Sequence, residues 1–201
     1  MRTLILASRS PRRQQLLRQI GIPFEVRENH LDEELDRSRS PEENVLELSR
    51  HKAEAVGRTV AEGIVVGVDT IVVLDGAMLG KPKDAGEATE MLRLLSGKEH
   101  RVYTGFTLYE VPGGRTHRDF EVTAVKFRTL DDREIAEYVR SGSPLDKAGA
   151  YGIQDDRGAL FVERINGCFY NVVGLPLTKF YTSLKQFTRT NDGTEGTSTH
   201  R

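Results

Sequence analysis

An α/β fold built on a mixed sheet is the class this sequence predicts, and three features of the chain predict it. Short apolar segments alternate with stretches of helical periodicity. One segment, 64–74, is a nearly continuous β-branched run. Two later strand-like segments are joined by Pro112-Gly113-Gly114, a turn signal that makes part of the sheet antiparallel.

Taken in order, residues 3–7 read as a short buried strand. A helix follows, with Ser10 as N-cap, Pro11 at the first helical position, an apolar stripe of Leu16, Leu17 and Ile20, and Gly21 as its stop. Residues 22–26 form a second strand, and an acidic loop, Asp32-Glu33-Glu34, comes next. Ser40-Pro41-Glu42-Glu43 carries a capping-box pattern. It opens a long helix with Val45, Leu46, Leu48, Ala53 and Val56 at helical spacing, closed by Gly57 or Gly63. The run 64–74 is the central strand, apolar enough to be buried on both faces.

Asp84, with Glu87 three residues on, starts a helix that carries Ala88, Met91, Leu92 and Leu95 and stops near Gly97. Strands over 101–111 and 116–128 flank the Pro-Gly-Gly turn. A helix over 131–140 ends at Gly142, ahead of a glycine-rich segment, 145–154. Strands near 159–165 and 169–173 and a helix over 177–187 complete the domain, assigned to residues 1–187. Residues 188–201, rich in Thr, Gly, Asn and Ser, are expected to be a flexible tail without a catalytic role.

Composition narrows the function. At 201 residues, 37% hydrophobic and 29% charged, the chain can bury a sizeable core. Lys plus Arg number 29 against 30 Asp plus Glu, so a net charge of −1 offers no general attraction for nucleic acid or an anionic membrane. Any anion must be held locally. A single cysteine, Cys168, excludes an intrachain disulfide framework. The first apolar run is too short for a secretory signal, and no stretch approaches bilayer length, so the cytoplasm is the expected compartment.

The two Ser-Pro helix starts differ in first-turn charge. Glu42 and Glu43 suit the positive end of the helix dipole, whereas Arg12 and Arg13 oppose it by about 0.3 to 1 kcal/mol each. Either a bound anion offsets this, or both arginines lie on the solvated face or pair with nearby carboxylates. Asp69 and Thr70 interrupt the most apolar strand, where a carboxylate requires a cation, a metal or hydrogen-bond donors. Lys52 lies in the second helix, and Lys81 and Lys147 stand beside glycine or proline turns. With Glu33 in the acidic loop, these residues describe a metal and polyphosphate site. The Walker A, dinucleotide-binding, His-Glu-x-x-His and Gly-x-Ser-x-Gly patterns are all missing, and the five histidines have no ligand spacing.

Five segments in order carry a family resemblance: Ala7-Ser8-Arg9-Ser10-Pro11-Arg12-Arg13, Gly67-Val68-Asp69-Thr70, Gly80-Lys81-Pro82, the stretch 145–154, and Val172-Val173-Gly174-Leu175-Pro176. Together they resemble the signatures of the Maf family, over residues 3–187. The resemblance implies an elongated α/β fold, like that of inosine triphosphatases, with a central cleft between two lobes, and commonly a homodimer. It implies a nucleoside triphosphate pyrophosphatase that needs a divalent cation, Mg2+ or Mn2+, and that cleanses nucleotide pools, with a link to cell-division arrest. Asp69 matches the family's proton acceptor, and Glu33 and Lys52 match residues lining the site, with Glu33 and Asp69 the expected metal ligands. Ser8, Arg13, Lys52, Lys81 and Lys147 fall at phosphate-binding positions.

Arg12, Thr70 and Gln154 fall where the family separates its branches. The 7-methyl-GTP branch has Trp in place of Arg12, Gln in place of Thr70, and lacks the Tyr151-Gly152-Ile153-Gln154 stretch, so this chain resembles the dTTP/UTP branch. Two departures stand out: Val68 replaces Ala or Ser, and Asp155-Asp156 replaces a glycine, adding negative charge near a polyphosphate. The competing expectations are a nucleotide-binding regulator of cell division without turnover, and a 7-methyl-GTP or inosine triphosphate hydrolase.

Overall fold

The computed structural model of the chain describes residues 2–28, 31, 34–155 and 157–189. Its strands are β1 (Leu4–Leu6), β2 (Glu25–Val26), β3 (Gly63–Leu74), β4 (Ala77–Leu79), β5 (Glu99–Val111), β6 (Thr116–Phe127) and β7 (Val162–Asn166). Its helices are α1 (Pro11–Gln19), α2 (Pro41–Gly57), α3 (Ala85–Leu95), α4 (Asp132–Arg140), α5 (Phe169–Val173) and α6 (Leu177–Arg189). The expected α/β class with a mixed sheet is what forms. Seven strands make one sheet in the order β2-β1-β3-β5-β6-β7, with β4 also paired to β3. The pairs β1–β2 and β1–β3 are parallel, and the rest are antiparallel.

The central strand is paired unequally on its two edges. β5 runs beside β3 without a break, from Gly63 opposite Val111 to Val73 opposite Arg101. On the other edge β1 covers Leu4 to Leu6 opposite Ile64 to Val66, and β4 begins only at Val72 opposite Leu79. Residues 67–71 have no described strand on that edge. The sheet splits there, beside Asp69 and Thr70.

Side-chain alternation sends the two faces of β3 to different partners. Ile64, Val66, Val68 and Val72 join the main core with Leu17, Phe106, Phe127, Tyr138 and Phe180. The opposite face carries Val65, which packs with Ala53 and Val56 of α2. Two glycines let that helix lie close: a Cβ on Gly67 would fall 1.9 Å from the Ser49 carbonyl oxygen, and one on Gly105 would fall 2.7 Å from the Val45 backbone. Ser49 and Thr107 hydroxyls meet across this contact at 2.8 Å.

Four elements differ from the sequence expectation. The strand expected over 169–173 is the short helix α5, whose Asn171 amide nitrogen donates to the Val102 carbonyl and to Thr123 Oγ1, both at 3.0 Å. β7 pairs with β6 only over Ala124–Phe127, and the segment that follows it is held beside the preceding stretch of β6 by Thr123 and Asn171 contacts, packing as a helix rather than extending the ladder. The strand expected from 159 begins only at Val162, after a single 3-10 turn over Gly158–Phe161. The second strand shrinks to Glu25–Val26. β4 was not expected, although Asp75-Gly76, with φ of 50° and 82°, is the dipeptide that two-residue hairpins favour. Thr188 and Arg189, assigned to the tail, are the last residues of α6, and residues 190–201 lie outside the described residues.

Gly67→Ala should force α2 off the sheet. We expect a loss of about 3 kcal/mol in urea unfolding, with activity falling further because Lys52 rides on the displaced helix. A stability within about 0.5 kcal/mol of the parent, the range of surface substitutions, would refute this packing account.

Candidate active site

The split in the sheet opens a cleft whose floor is the bare edge of β3. An opening onto a strand edge exposes side chains from both faces of the strand, so Asp69 and Thr70 both line it although they point to opposite sides of the sheet. Six cationic side chains, Arg9, Arg12, Arg13, Lys52, Lys81 and Lys147, and two carboxylates, Asp69 and Asp146, line this cleft in a chain of net charge −1. The positive charge that the composition lacks overall is gathered here.

Of the residues singled out from sequence, Ser8, Arg12, Arg13, Lys52, Asp69, Thr70, Lys81, Lys147 and Gln154 all line this one cleft. Glu33 lies outside the described residues. Lys52 reaches in from α2, and its Nζ donates to Asp69 Oδ1 at 2.5 Å and to the Val68 carbonyl at 3.5 Å. Both side chains are about 95% buried (4% and 5% exposed), so the carboxylate is held in place by an adjacent cation rather than by solvent.

Arg13 binds protein groups from four directions. Its Nε donates to the Gly174 carbonyl at 3.0 Å, Nη1 to Ser8 Oγ at 3.2 Å and to the Val68 carbonyl at 3.0 Å, and Nη2 to Thr70 Oγ1 at 3.1 Å. Thr70 Oγ1 meets Thr104 Oγ1 at 3.0 Å, and Thr104 donates to the Asn171 carbonyl at 3.0 Å. One guanidinium thereby ties α1, the end of β1, β3 and the loop after α5 together. Arg12 takes the other course foreseen for the pair: its Nη1 donates to Asp146 Oδ2 at 2.7 Å.

Lys147 is nearly buried among acceptors. Its Nζ donates to the Ser143 carbonyl, to Ser143 Oγ at 3.1 Å and to Asp146 Oδ1 at 2.8 Å, and lies 3.1 Å from Asp155 Oδ2. Asp155 also accepts from Tyr138 Oη at 3.0 Å, Ser143 Oγ at 2.7 Å and Gln154 Nε2 at 2.8 Å. The negative charge expected to face a polyphosphate is therefore turned inward at Asp155 as the counter-ion of Lys147, while Asp156 lies outside the described residues. Gly152 makes this possible, since a Cβ there would stand 2.6 Å from Asp155 Oδ2.

The two Ser-Pro helix starts diverge in structure as they do in charge. Ser40 closes α2 with a capping box, accepting from the Glu43 N–H at 3.2 Å while the Ser40 N–H donates to Glu43 Oε2 at 2.8 Å. Ser10 makes no side-chain cap, and its own N–H donates to Ser8 Oγ at 3.2 Å. The first turn of α1 faces the cleft, where an anion would find helix-end N–H groups.

The family model described as Maf-like protein matches residues 3–187. This chain belongs to the Maf family. The Maf chain is 50% identical over 184 residues to the dTTP/UTP pyrophosphatase of Carboxydothermus hydrogenoformans, covering 92% of this chain and 98% of the relative. It is 49% identical over 187 residues to the dTTP/UTP pyrophosphatase of Bacillus pumilus, covering 93% and 97%. A third, from Chlorobaculum parvum, is 50% identical over 188 residues, covering 92% and 94%.

For a cation, this Maf cleft offers hard oxygen donors only in part. Among the described residues no group of three or more His, Cys, Asp or Glu side chains could hold a metal alone. Asp69 is a donor at the cleft floor, and a small divalent cation that shares one or two carboxylates with substrate phosphates fits such a set. No helix among the described residues is long and apolar enough to cross a membrane.

Sequence reasoning missed Asp146 and Asn171, whose roles arise from Arg12, Val102 and Thr123, partners distant in sequence, and it read Asp155 by its charge alone. It also missed His100, whose Nε2 lies 2.8 Å from the hydroxyl of Tyr151, a cleft-lining residue whose phenol burial pushes up. Burial lowers the folded-state pKa of His100 to about 4 from 6.5. As pH falls, the unfolded chain takes up this proton first, so stability present above pH 6.5 is lost between 6.5 and 4. Urea unfolding at stepped pH should show this histidine's share, about 3 kcal/mol, and His100→Asn should flatten the dependence. An equally steep fall in the variant would assign it to other groups.

Proposed function

We propose that this Maf protein hydrolyses dTTP and UTP to the monophosphate and pyrophosphate. The single observation that carries the reading is a cation-lined cleft whose floor holds a buried carboxylate, Asp69, fixed by Lys52. The names of the relatives support the substrates. A water molecule attacks the α-phosphorus, its proton passes to Asp69, and the bond to the bridging oxygen of the β-phosphate breaks, releasing pyrophosphate. Lys52, Lys81 and the first turn of α1 neutralise the charge that grows on the leaving group. Arg13 keeps the cleft walls in register.

A divalent cation, Mg2+ or Mn2+, held by Asp69 with Glu33 as a further ligand and by substrate phosphates, would supply Lewis-acid polarisation of the reacting phosphate. Gln154 gives a chemical reason for the base preference. Its Nε2 is engaged with Asp155 Oδ1 at 2.8 Å, which leaves its carbonyl oxygen to accept. Thymine and uracil present an N3–H donor, where cytosine presents an acceptor. A cytoplasmic homodimer is part of the proposal on the strength of the family resemblance.

Purified protein incubated with dTTP or UTP and Mg2+ or Mn2+ should yield monophosphate and pyrophosphate by ion-exchange chromatography, and EDTA should stop the reaction. Diphosphate with free phosphate would place the cleavage elsewhere. Asp69→Asn should lower kcat by at least about a hundredfold. It should also destabilise the fold by about 3 to 5 kcal/mol, because it strips the buried Lys52 of its counter-ion; circular dichroism at the assay temperature confirms that folded enzyme is assayed. Near-normal turnover in this variant would end the case for Asp69.

A further inference from the structure

Asp146 is a carboxylate in a cleft built for polyphosphate, where a second negative charge opposes binding unless it has a local task. Its two oxygens are divided between two cations: Oδ2 accepts from Arg12 Nη1 at 2.7 Å and Oδ1 from Lys147 Nζ at 2.8 Å. Its backbone carbonyl also accepts from Arg12 Nη2 at 3.3 Å. Both terminal nitrogens of Arg12 are thus held by one residue, a two-point grip that fixes the plane of the guanidinium. The grip spans 134 residues of sequence and joins the start of α1 to the glycine-rich segment.

The surroundings fit a positioning role. The Arg12 side chain is 19% exposed and that of Asp146 is 54% exposed, so the pair sits at the cleft wall and not in the core. Burial alone would raise the Asp146 pKa, but hydrogen bonds from Lys147 and Arg12 outweigh it and hold the carboxyl below its ordinary range, charged at neutral pH. Lys147, with three N–H donors, is surrounded by Ser143 O and Oγ, Asp146 and Asp155, so it serves as a clip that keeps Asp146 in place. Arg12 and Gln154 both line the catalytic cleft and an adjoining polar hollow walled by Gln15, Ser143 and Arg157.

We propose that Asp146 is a specificity-determining positioning residue: it holds Arg12, which shares the lining of both hollows with Gln154, at the base end of the cleft and away from the phosphates. The inference rests on the pyrimidine triphosphate reading above. Asp146 itself touches no reacting atom.

The test is steady-state kinetics of the wild type, Asp146→Asn and Asp146→Glu on UTP and CTP, with thermal unfolding alongside. For Asp146→Asn, the loss should fall on KM for UTP, which rises about tenfold, while kcat changes little. The UTP over CTP ratio of kcat/KM should fall by about the same factor. Asp146→Glu, which keeps the charge, should recover most of that ratio. An unchanged ratio in Asp146→Asn overturns the inference. So does a loss of kcat shared equally by both nucleotides with a lowered Tm, the mark of a purely structural role. If the wild type turns over neither nucleotide, the functional reading fails and the inference falls with it.

Discussion

The carbonyl of Val68 looks onto a strand edge with no described strand beside it, in the middle of the sheet. A buried backbone acceptor must find a donor, and here Arg13 supplies one at 3.0 Å and Lys52 a more distant one at 3.5 Å. Those two cations arrive on different helices, α1 and α2, so satisfying one edge of β3 fixes both helices against the sheet. The same arrangement brings Lys52 to Asp69 and Arg13 to Thr70. The groups that repair the broken ladder also line the cleft.

Close approach of α2 is the second requirement, since Lys52 reaches Asp69 only if the helix lies near the sheet. Gly67 and Gly105 provide the room. The glycine in the β-branched run 64–74 is thus a packing device, and the aspartate two positions on is on the same face of the strand, toward the helix that carries its counter-ion.

Much of this was legible in the sequence because it is local. The caps at Ser40 and Asp84, the apolar strand 64–74, and the anomaly of two arginines in a first turn are all short-range signals, and each leads to an element or to the cleft. The failures are those of context. Residues 169–173 look like a strand, yet their state is decided by partners distant in sequence, Val102 and Thr123, which Asn171 binds from a helix. Asp146 carries no signal of its own, because its meaning comes from Arg12, far back in the chain. Asp155 was read by its charge, whereas its partners Tyr138, Ser143 and Lys147 decide where that charge points.

Because β1 and β4 border the cleft without pairing to each other, its width is set by side chains and not by a backbone ladder. The long β3–β5–β6 ladder is untouched by what happens there. Substitutions among the bridging residues can therefore reshape the opening for a different ligand while the sheet keeps its register. A scaffold with this division of labour can diversify its specificity in small steps, each paid for at one or two side chains.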